Sequence, residues 1–166
     1  MPWDSTVLWM GDLDVDGSIS RRVKIAGGPS ESVFQPEWSP DGVLYFVSDR
    51  TGWWNIYRFR DGAVEPVTSM EAEFGGPQWV FGLSLYSVES PRRIVCSYTR
   101  DGRSFLAAIN TETLTLEILD LPYTSYGYIR ANTGSAVFIA GSETDFPAVV
   151  RLDLATMTTT ILRRSS

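Results

Sequence analysis

The sequence has no histidine, one cysteine and one lysine. Without histidine, a Ser-His-Asp triad, a Cys-His pair and a histidine-ligated zinc site are all excluded within this chain. The sequence also has no nucleophile-elbow motif (G-x-S-x-G) and no Walker-type phosphate loop, so neither of these devices is expected. The lone cysteine, Cys96, excludes an internal disulfide, and its apolar neighbours favour a buried, unreactive thiol.

Basic charge is scarce relative to acidic charge. Fourteen Lys and Arg residues stand against twenty Asp and Glu residues, which gives a net charge of −6 at pH 7. Phosphate binding needs clustered basic residues, so no nucleic acid partner is expected. No apolar run approaches the ~18 to 20 residues of a membrane-spanning helix, and the first residues do not resemble a signal peptide. We therefore expect a cytoplasmic protein with no membrane partner and no cofactor.

Short β-strands account for most of what the sequence does contain. Val, Ile, Thr and aromatic residues form runs of about five to eight residues between turn clusters, which is the pattern of strands. The dipeptides Asp41-Gly42 and Asp61-Gly62 predict hairpin turns because glycine accepts a positive φ. The predicted strands are residues 6–13, 20–26, 35–38, 43–48, 55–60, 64–68, 84–88, 94–98, 105–110, 116–120, 128–131, 136–140, 148–153 and 158–162.

One unit of this pattern occurs three times. Its clearest copy lies within Pro36–Gly62, where the turn W-S-P-D-G, a strand, the turn D-R-T-G and another strand follow one another. The strand Val43–Ser48 of that copy returns within Arg93–Gly102 and again at Ala136–Gly141. Intervals of roughly 40 to 50 residues are typical of four-stranded propeller blades. The predicted fold is therefore all-β, a partial β-propeller of about three and a half four-stranded antiparallel blades.

The repeat also predicts how the chain is organised. The expected units are the outer strands of one blade and three further blades, at residues 1–28, 29–72, 73–124 and 125–166. Closed propellers have roughly four to eight blades, so we expect the chain to be a piece of a larger protein or to complete itself by assembly. Exposed strand edges would favour self-association.

Three segments carry a resemblance to a known family. They are Met1–Asp4, the long run Phe34–Tyr57 and the segment Glu73–Trp79. These stretches resemble the N-terminal propeller of the prolyl oligopeptidase family of serine peptidases, most of all its acylaminoacyl-peptidase or dipeptidyl aminopeptidase branch. The W-S-P-D-G and S-D-R-x-G motifs also occur in tolB-like propellers. The strong resemblance covers about the first half of the chain.

In that family the propeller sits over an α/β-hydrolase domain that holds the catalytic residues. The resemblance therefore implies a non-catalytic region that gates and selects peptide substrates and docks onto the α/β-hydrolase domain of its parent chain. No catalytic residue is expected here, so enzyme activity would belong to the parent serine peptidase, a hydrolase. The alternative is a tolB-like module that binds a protein partner and has no peptidase domain.

Candidate contact residues follow from the way that loops sort onto the two ends of antiparallel blades. One end collects aromatic and acidic residues, which suit substrate binding or domain docking. The candidates at that end are Asp49, Arg50, Trp53, Trp54, Glu73 and Phe74, and Glu37 is a further candidate because it is expected to face the central channel from an inner strand. The competing interpretation is structural: tryptophans fill gaps between blades, Asp49 accepts bonds within its own turn, and Glu37 is a solvated carboxylate near the central channel.

The segment before Gly17 offers one weak calcium candidate. Asp12, Asp14 and Asp16 alternate as in the first half of a calcium loop. The twelfth position is Val23, where a bidentate glutamate is required. The same residues read well as a strand, a hairpin turn and a second strand, and we expect no metal.

Overall fold

The computed structural model describes residue 1 and residues 4–165; Pro2 and Trp3 of the amino-terminal motif, and Ser166, lie outside the described residues. The described residues form strands and turns, and no helix among them could span a membrane. The strands are β1 (Val7–Leu13), β2 (Ile19–Gly27), β3 (Val33–Trp38), β4 (Leu44–Ser48), β5 (Asn55–Arg60), β6 (Ala63–Pro66), β7 (Tyr86–Ser90), β8 (Arg93–Arg100), β9 (Arg103–Asn110), β10 (Leu116–Ile118), β11 (Ser125–Asn132), β12 (Ser135–Gly141), β13 (Ala148–Asp153) and β14 (Thr159–Arg164).

These strands form four antiparallel sheets in which neighbours in sequence are neighbours in space. The first sheet is β1-β2, the second β3-β4-β5-β6, the third β7-β8-β9-β10 and the fourth β11-β12-β13-β14. The opening strands of successive sheets contact each other, β3 with β7 and β7 with β11, so the sheets converge along one side. The predicted all-β partial propeller is confirmed, and every predicted strand overlaps an observed one.

Tight turns set the register within the sheets. Asp61 and Gly62 have φ values of 52° and 80°, and Asp101 and Gly102 have 51° and 73°. Two successive residues with positive φ form the hairpin turn whose twist matches that of the flanking strands. The Asp-Gly dipeptide is favoured there because neither residue carries a branched Cβ that would oppose this conformation.

The core lies between the sheets, with one apolar cluster at each junction. Tyr86 and Ile94 belong to the cluster between the second and third sheets. Val95 and Phe138 belong to the cluster between the third and fourth sheets, and Phe46 lies between the first and second. Adjacent strand residues point to opposite faces, so β8 supplies both neighbouring clusters with fully buried side chains. Each inner sheet is therefore apolar on both faces.

The single cysteine lies in this core. Cys96 is completely buried on β8, as predicted. Burial in apolar surroundings raises the pKa of its thiol far above the ordinary value, which keeps the sulfur protonated and unreactive.

Candidate functional site

The topology places the long connections together at one end of the sheets. In antiparallel sheets with strands in sequence order, alternate connections leave from opposite ends. The segments 49–54, 67–85, 119–124 and 142–147 therefore share one end, which we call the long-loop face. The short turns at 39–43, 61–62 and 133–134 lie at the opposite end.

Asp49 and Arg50 tie this face to the segment that precedes β3. One carboxylate oxygen of Asp49 accepts a 2.7 Å hydrogen bond from the Ser32 amide, which lies outside its own turn. The Arg50 guanidinium binds Glu31 at 2.7 Å and lies over the Tyr57 ring, 4.7 Å from its centroid. Both side chains are thus engaged by the fold. Arg50 remains exposed enough to be reached by a partner.

The Glu31 carboxylate is the centre of this polar cluster. Its Oε1 accepts hydrogen bonds from the Ser48 hydroxyl at 2.6 Å and from the Arg50 guanidinium at 2.7 Å. Partial burial raises the pKa of Glu31, but these two partners outweigh it, and the pKa lies below its ordinary value of 4.5. The cluster is therefore an ionised, hydrogen-bonded link between β4 and the loop before β3.

Trp53, Trp54, Glu73 and Phe74 divide between surface and core. The Trp54 amide donates to a Glu73 carboxylate oxygen at 3.1 Å, and the Phe74 amide donates to the Trp54 carbonyl at 2.7 Å. Phe74 is fully buried and stacks on Tyr98, with ring centroids 5.0 Å apart. Trp54 is half-buried, whereas the Trp53 side chain is 39% exposed. Of the three aromatic candidates, only Trp53 offers substantial surface to a partner of this chain.

Glu37 links two sheets at the side where they converge. Its Oε1 accepts hydrogen bonds from the Ser87 hydroxyl at 3.1 Å and from the Val88 amide at 2.9 Å. Gln35 continues the link, since its side chain accepts from the Leu85 amide at 2.8 Å. A register shift in β3, with Gln35 at φ 48°, turns these side chains toward β7. Glu37 is thus a structural bridge between the second and third sheets.

The aspartates near Gly17 form a hairpin tip. Asp12 pairs with Arg21, and Asp16 accepts a 2.9 Å hydrogen bond from the Ser18 amide. That bond lowers the pKa of the Asp16 carboxyl below its ordinary value. Asp14 interacts with the Ser18 hydroxyl at 3.4 Å. Within the described ranges, no group of three or more His, Cys, Asp or Glu side chains is placed to hold a metal ion.

One exposed feature of the long-loop face was not predicted from the sequence. Trp79, Val80 and Phe81 are consecutive and are 75%, 55% and 106% exposed. The available signal was a run of three large apolar residues placed between a proline and a glycine, where a polar loop is usual. Phe146, on the same face, is 79% exposed. Contiguous exposed apolar side chains of this kind mark interaction surfaces.

The same face carries a groove of about 500 Å³ between the third and fourth sheets. The first residues of β9 line one side, and the 119–124 segment lines the other. Tyr123 and Tyr126 lie along it with ring centroids 6.3 Å apart and nearly perpendicular. Burial and the nearby Asp120 raise the pKa of Tyr126 to about 12, so its hydroxyl stays protonated and donates to the Tyr123 carbonyl at 3.0 Å.

Two solved enzymes that cleave puromycin contain this fold as one part of a longer chain. Puromycin hydrolase matches 100% of the present chain with a TM-score of 0.89 and 30% identity, over 26% of its own length. A puromycin-hydrolyzing peptidase from Mycobacterium tuberculosis matches 99% of the chain with a TM-score of 0.90 and 32% identity, over 25% of its length. The chain matches a β-propeller fragment of the prolyl oligopeptidase family. This propeller fragment spans about a quarter of the length of those enzymes.

Two more distant structures share the fold alone with the propeller fragment. A prolyl endopeptidase matches 95% of it with a TM-score of 0.71 and 19% identity, over 23% of that enzyme. TolB from Acinetobacter baumannii matches 99% of it with a TM-score of 0.55 and 15% identity, over 50% of TolB. No protein-family model and no curated protein matches the sequence. The predicted resemblance to a propeller of the prolyl oligopeptidase family is therefore confirmed by the solved structures, and the branch of that family stays a prediction.

Proposed function

We propose that this chain forms the non-catalytic propeller side of a serine peptidase of the prolyl oligopeptidase family. It would gate access, select peptide-like substrates and dock onto an α/β-hydrolase domain of a parent chain. The observation that carries the proposal is the match of the whole chain to a quarter of each of two puromycin-cleaving enzymes, at 30% and 32% identity. Both enzymes are named for cleaving puromycin, an aminoacyl amide, so aminoacyl amides are the substrate class that we propose, in keeping with an acylaminoacyl-peptidase or dipeptidyl aminopeptidase branch.

The long-loop face has the chemistry that such docking needs. Trp53, Trp79 and Phe81 place exposed aromatic surface there, and aromatic side chains contribute much of the binding energy of protein interfaces. The Glu37 carboxylate, in contrast, already accepts hydrogen bonds from within the chain and is best explained as a structural link between two sheets. The proposed contact set is therefore the exposed aromatic residues together with Arg50.

A chimera tests the proposal directly. The corresponding quarter of the Mycobacterium tuberculosis enzyme is replaced by this chain, and kcat/KM for puromycin is measured. We expect hydrolysis by the chimera and none by the chain alone, because general-base catalysis of the triad type needs a histidine that this chain lacks. A chimera that is folded and assembled yet inactive would refute the proposal.

The docking surface is tested within the same chimera. The double substitution Trp79→Ser and Phe81→Ser removes exposed aromatic surface from the long-loop face, and we expect kcat/KM to fall by about tenfold or more. Trp38→Ser is the matched control, because Trp38 is 55% exposed but adjoins the turn at the opposite end of the sheets. Equal losses in the two variants would show that the face has no special role.

The second candidate is a tolB-like module that binds a protein without any peptidase domain. It is favoured by the match of TolB over the same 99% of the chain, and the exposed aromatic loop suits a protein partner equally well. The chimera separates the two candidates. Activity that survives the exchange supports the peptidase, whereas a folded, inactive chimera favours the binding module.

We also propose that the chain self-associates through its first sheet. Trp9, Leu13 and Ile19 line an apolar groove of about 740 Å³ on this two-stranded sheet and are more than half exposed. Sedimentation at micromolar concentration is expected to show oligomers that Trp9→Ser abolishes. A monomer at all concentrations would contradict this proposal.

A further inference from the structure

The outer edge of the third sheet is open where β9 begins. β9 starts at Arg103, but β10 pairs only with its second half, from Ala107 to Ile109. The segment after β10 adds one more bond, from the Leu119 amide to the Leu106 carbonyl at 2.9 Å. In the part of the chain that the structure describes, no strand lies beside residues 103–105 on this side.

The backbone of Ser104 faces this open edge. Thr99 stands opposite Ser104 on β8 and exchanges both of its backbone hydrogen bonds with Glu73, at 2.8 and 3.0 Å, on the far side. Thr99 and Ser104 are therefore a non-hydrogen-bonded pair of the antiparallel ladder, in which each backbone points away from the other strand. Leu106, two residues on, has its carbonyl on the same outer side. The N–H and C=O of Ser104 thus form a template for one more strand.

The corresponding positions of the neighbouring sheets are closed. In the second sheet Trp54 stands where Ser104 stands in the third: its amide donates to a Glu73 carboxylate oxygen at 3.1 Å, and its carbonyl accepts from the Phe74 amide at 2.7 Å. In the fourth sheet β14 covers β13 from Ala148 onward. The open edge is therefore a feature of the third sheet and does not follow from the repeat.

An ordered aromatic wall faces this edge across the groove of about 500 Å³. The Tyr126 ring lies against buried Phe138 with centroids 5.9 Å apart, and its hydroxyl donates a hydrogen bond to the Tyr123 carbonyl. Phe105 lines the groove on the β9 side, but its ring stacks on Tyr98 at 5.2 Å in the cluster between the second and third sheets. The space beside Ser104 is thus bordered on the side of the fourth sheet by tyrosine side chains that are already fixed by packing.

Charge at the groove favours a cationic occupant. Among the described residues that line the groove are two carboxylates, those of Asp120 and Glu143, and a single guanidinium, that of Arg103, and all three residues are exposed. The whole chain carries a net charge of −6, which adds to the negative potential. A basic side chain would meet two carboxylates here, whereas an acidic one would meet repulsion.

We propose that this groove binds an extended peptide segment bearing a Lys or Arg side chain, which adds a fifth strand to the third sheet beside β9. Main-chain bonds to Ser104 provide affinity and register, as in other cases of strand addition, and the tyrosines pack against alternate side chains. Asp120 and Glu143 select the basic residue. This inference stands apart from the proposed peptidase role, because it needs no catalytic domain.

The test uses the purified chain and two fluorescein-labelled peptides, Val-Thr-Arg-Thr-Val and Val-Thr-Glu-Thr-Val, with binding followed by fluorescence anisotropy. We expect the Arg peptide to bind about tenfold or more tightly than the Glu peptide. The double substitution Asp120→Asn and Glu143→Gln removes this preference, while Glu112→Gln at the opposite end leaves it unchanged. Equal affinity for the two peptides, or no binding of the Arg peptide below about 1 mM, would overturn the proposal.

Strand addition is tested separately from charge. Ser104→Pro deletes the outward-facing amide without removing a bond of the β8–β9 ladder, and proline is tolerated at such edges. We expect Kd for the Arg peptide to rise about tenfold or more, while Ser104→Ala, which keeps the amide, binds like the parent chain. Unchanged binding by a folded Ser104→Pro variant refutes strand addition. If that variant does not fold, the same question is tested on the parent chain with an Arg peptide whose backbone amides are N-methylated. Unimpaired binding of that peptide would equally refute strand addition.

Discussion

Replacing Phe74 by alanine should remove a large part of the stability of this chain. The side chain is completely buried in the cluster between the second and third sheets, and its ring stacks on Tyr98 at 5.0 Å. Burial of a phenylalanine and the cavity that its loss leaves are together worth about 3–5 kcal/mol. The stacking of an aromatic pair contributes about 0.5–1.5 kcal/mol of this stability. We expect Phe74→Ala to lower the free energy of unfolding by about 4 kcal/mol.

The assay is urea unfolding followed by tryptophan fluorescence, with thermal unfolding as a second measure. Domains of this size lose about 2–4 °C of Tm for each kcal/mol, so a decrease of about 10 °C is expected. Phe146→Ala is the control, because that ring is 79% exposed and its removal should change stability by less than about 0.5 kcal/mol. A loss below about 1 kcal/mol for Phe74→Ala, or equal effects in the two variants, would refute the assignment of Phe74 to the core.

Three further predictions concern packing, a bridge between sheets and acid stability. A Cβ added to Gly75 would lie 2.9 Å from a valine methyl group. Gly75→Ala should therefore lower the free energy of unfolding, measured in urea, by about 1–3 kcal/mol, whereas Gly76→Ala, with open space around it, should lower it much less. Equal losses in the two variants would contradict this prediction. Glu37→Ala leaves the Val88 amide of the third sheet without its acceptor and should lower the free energy of unfolding by about 1–3 kcal/mol. An unchanged stability would show that Glu37 does not bridge the two sheets. Because the pKa of Glu31 is lowered in the folded chain, the stability that its carboxylate contributes is complete above pH 4.5 and is lost as the pH falls through the folded-state pKa. Arg50→Ala should therefore weaken the loss of unfolding free energy that acid causes. An unchanged dependence of stability on pH in this range would rule out the Glu31–Arg50 pair as its source.

The strands were predictable because local chemistry determines them. Alternating apolar residues between Asp-Gly turns define each hairpin, and the left-handed φ values of Asp61 and Asp101 are those that this dipeptide readily adopts. The register shift in β3 was not predictable, since it depends on the contacts of Gln35 with Tyr86 of the third sheet and with Leu85 just before it. Interactions between residues about fifty positions apart leave no periodic signal in a single sequence.

The candidate site was predicted less completely than the fold. The sequence pattern placed Phe74 among the contact candidates of the long-loop face and left Phe81 out, whereas the structure buries Phe74 in the core and exposes Phe81. Both are phenylalanines followed by glycine, and only the path of the connecting loop distinguishes them. The open edge of β9 was equally hidden, because it results from where β10 ends.

The order of contacts along the molecule has a consequence for cooperativity. β1 contacts β3, β3 contacts β7 and β7 contacts β11, so each sheet is supported by its immediate neighbours. In such a nearly one-dimensional array, stability is approximately a sum of the intrinsic terms of the units and the coupling terms between adjacent units. Opening should therefore begin at the terminal hairpin and travel inward, and amide hydrogen exchange should be fastest in β1 and β2 and slowest in β8. A destabilising substitution at one end of this chain would therefore unfold that end locally and leave the middle sheets folded.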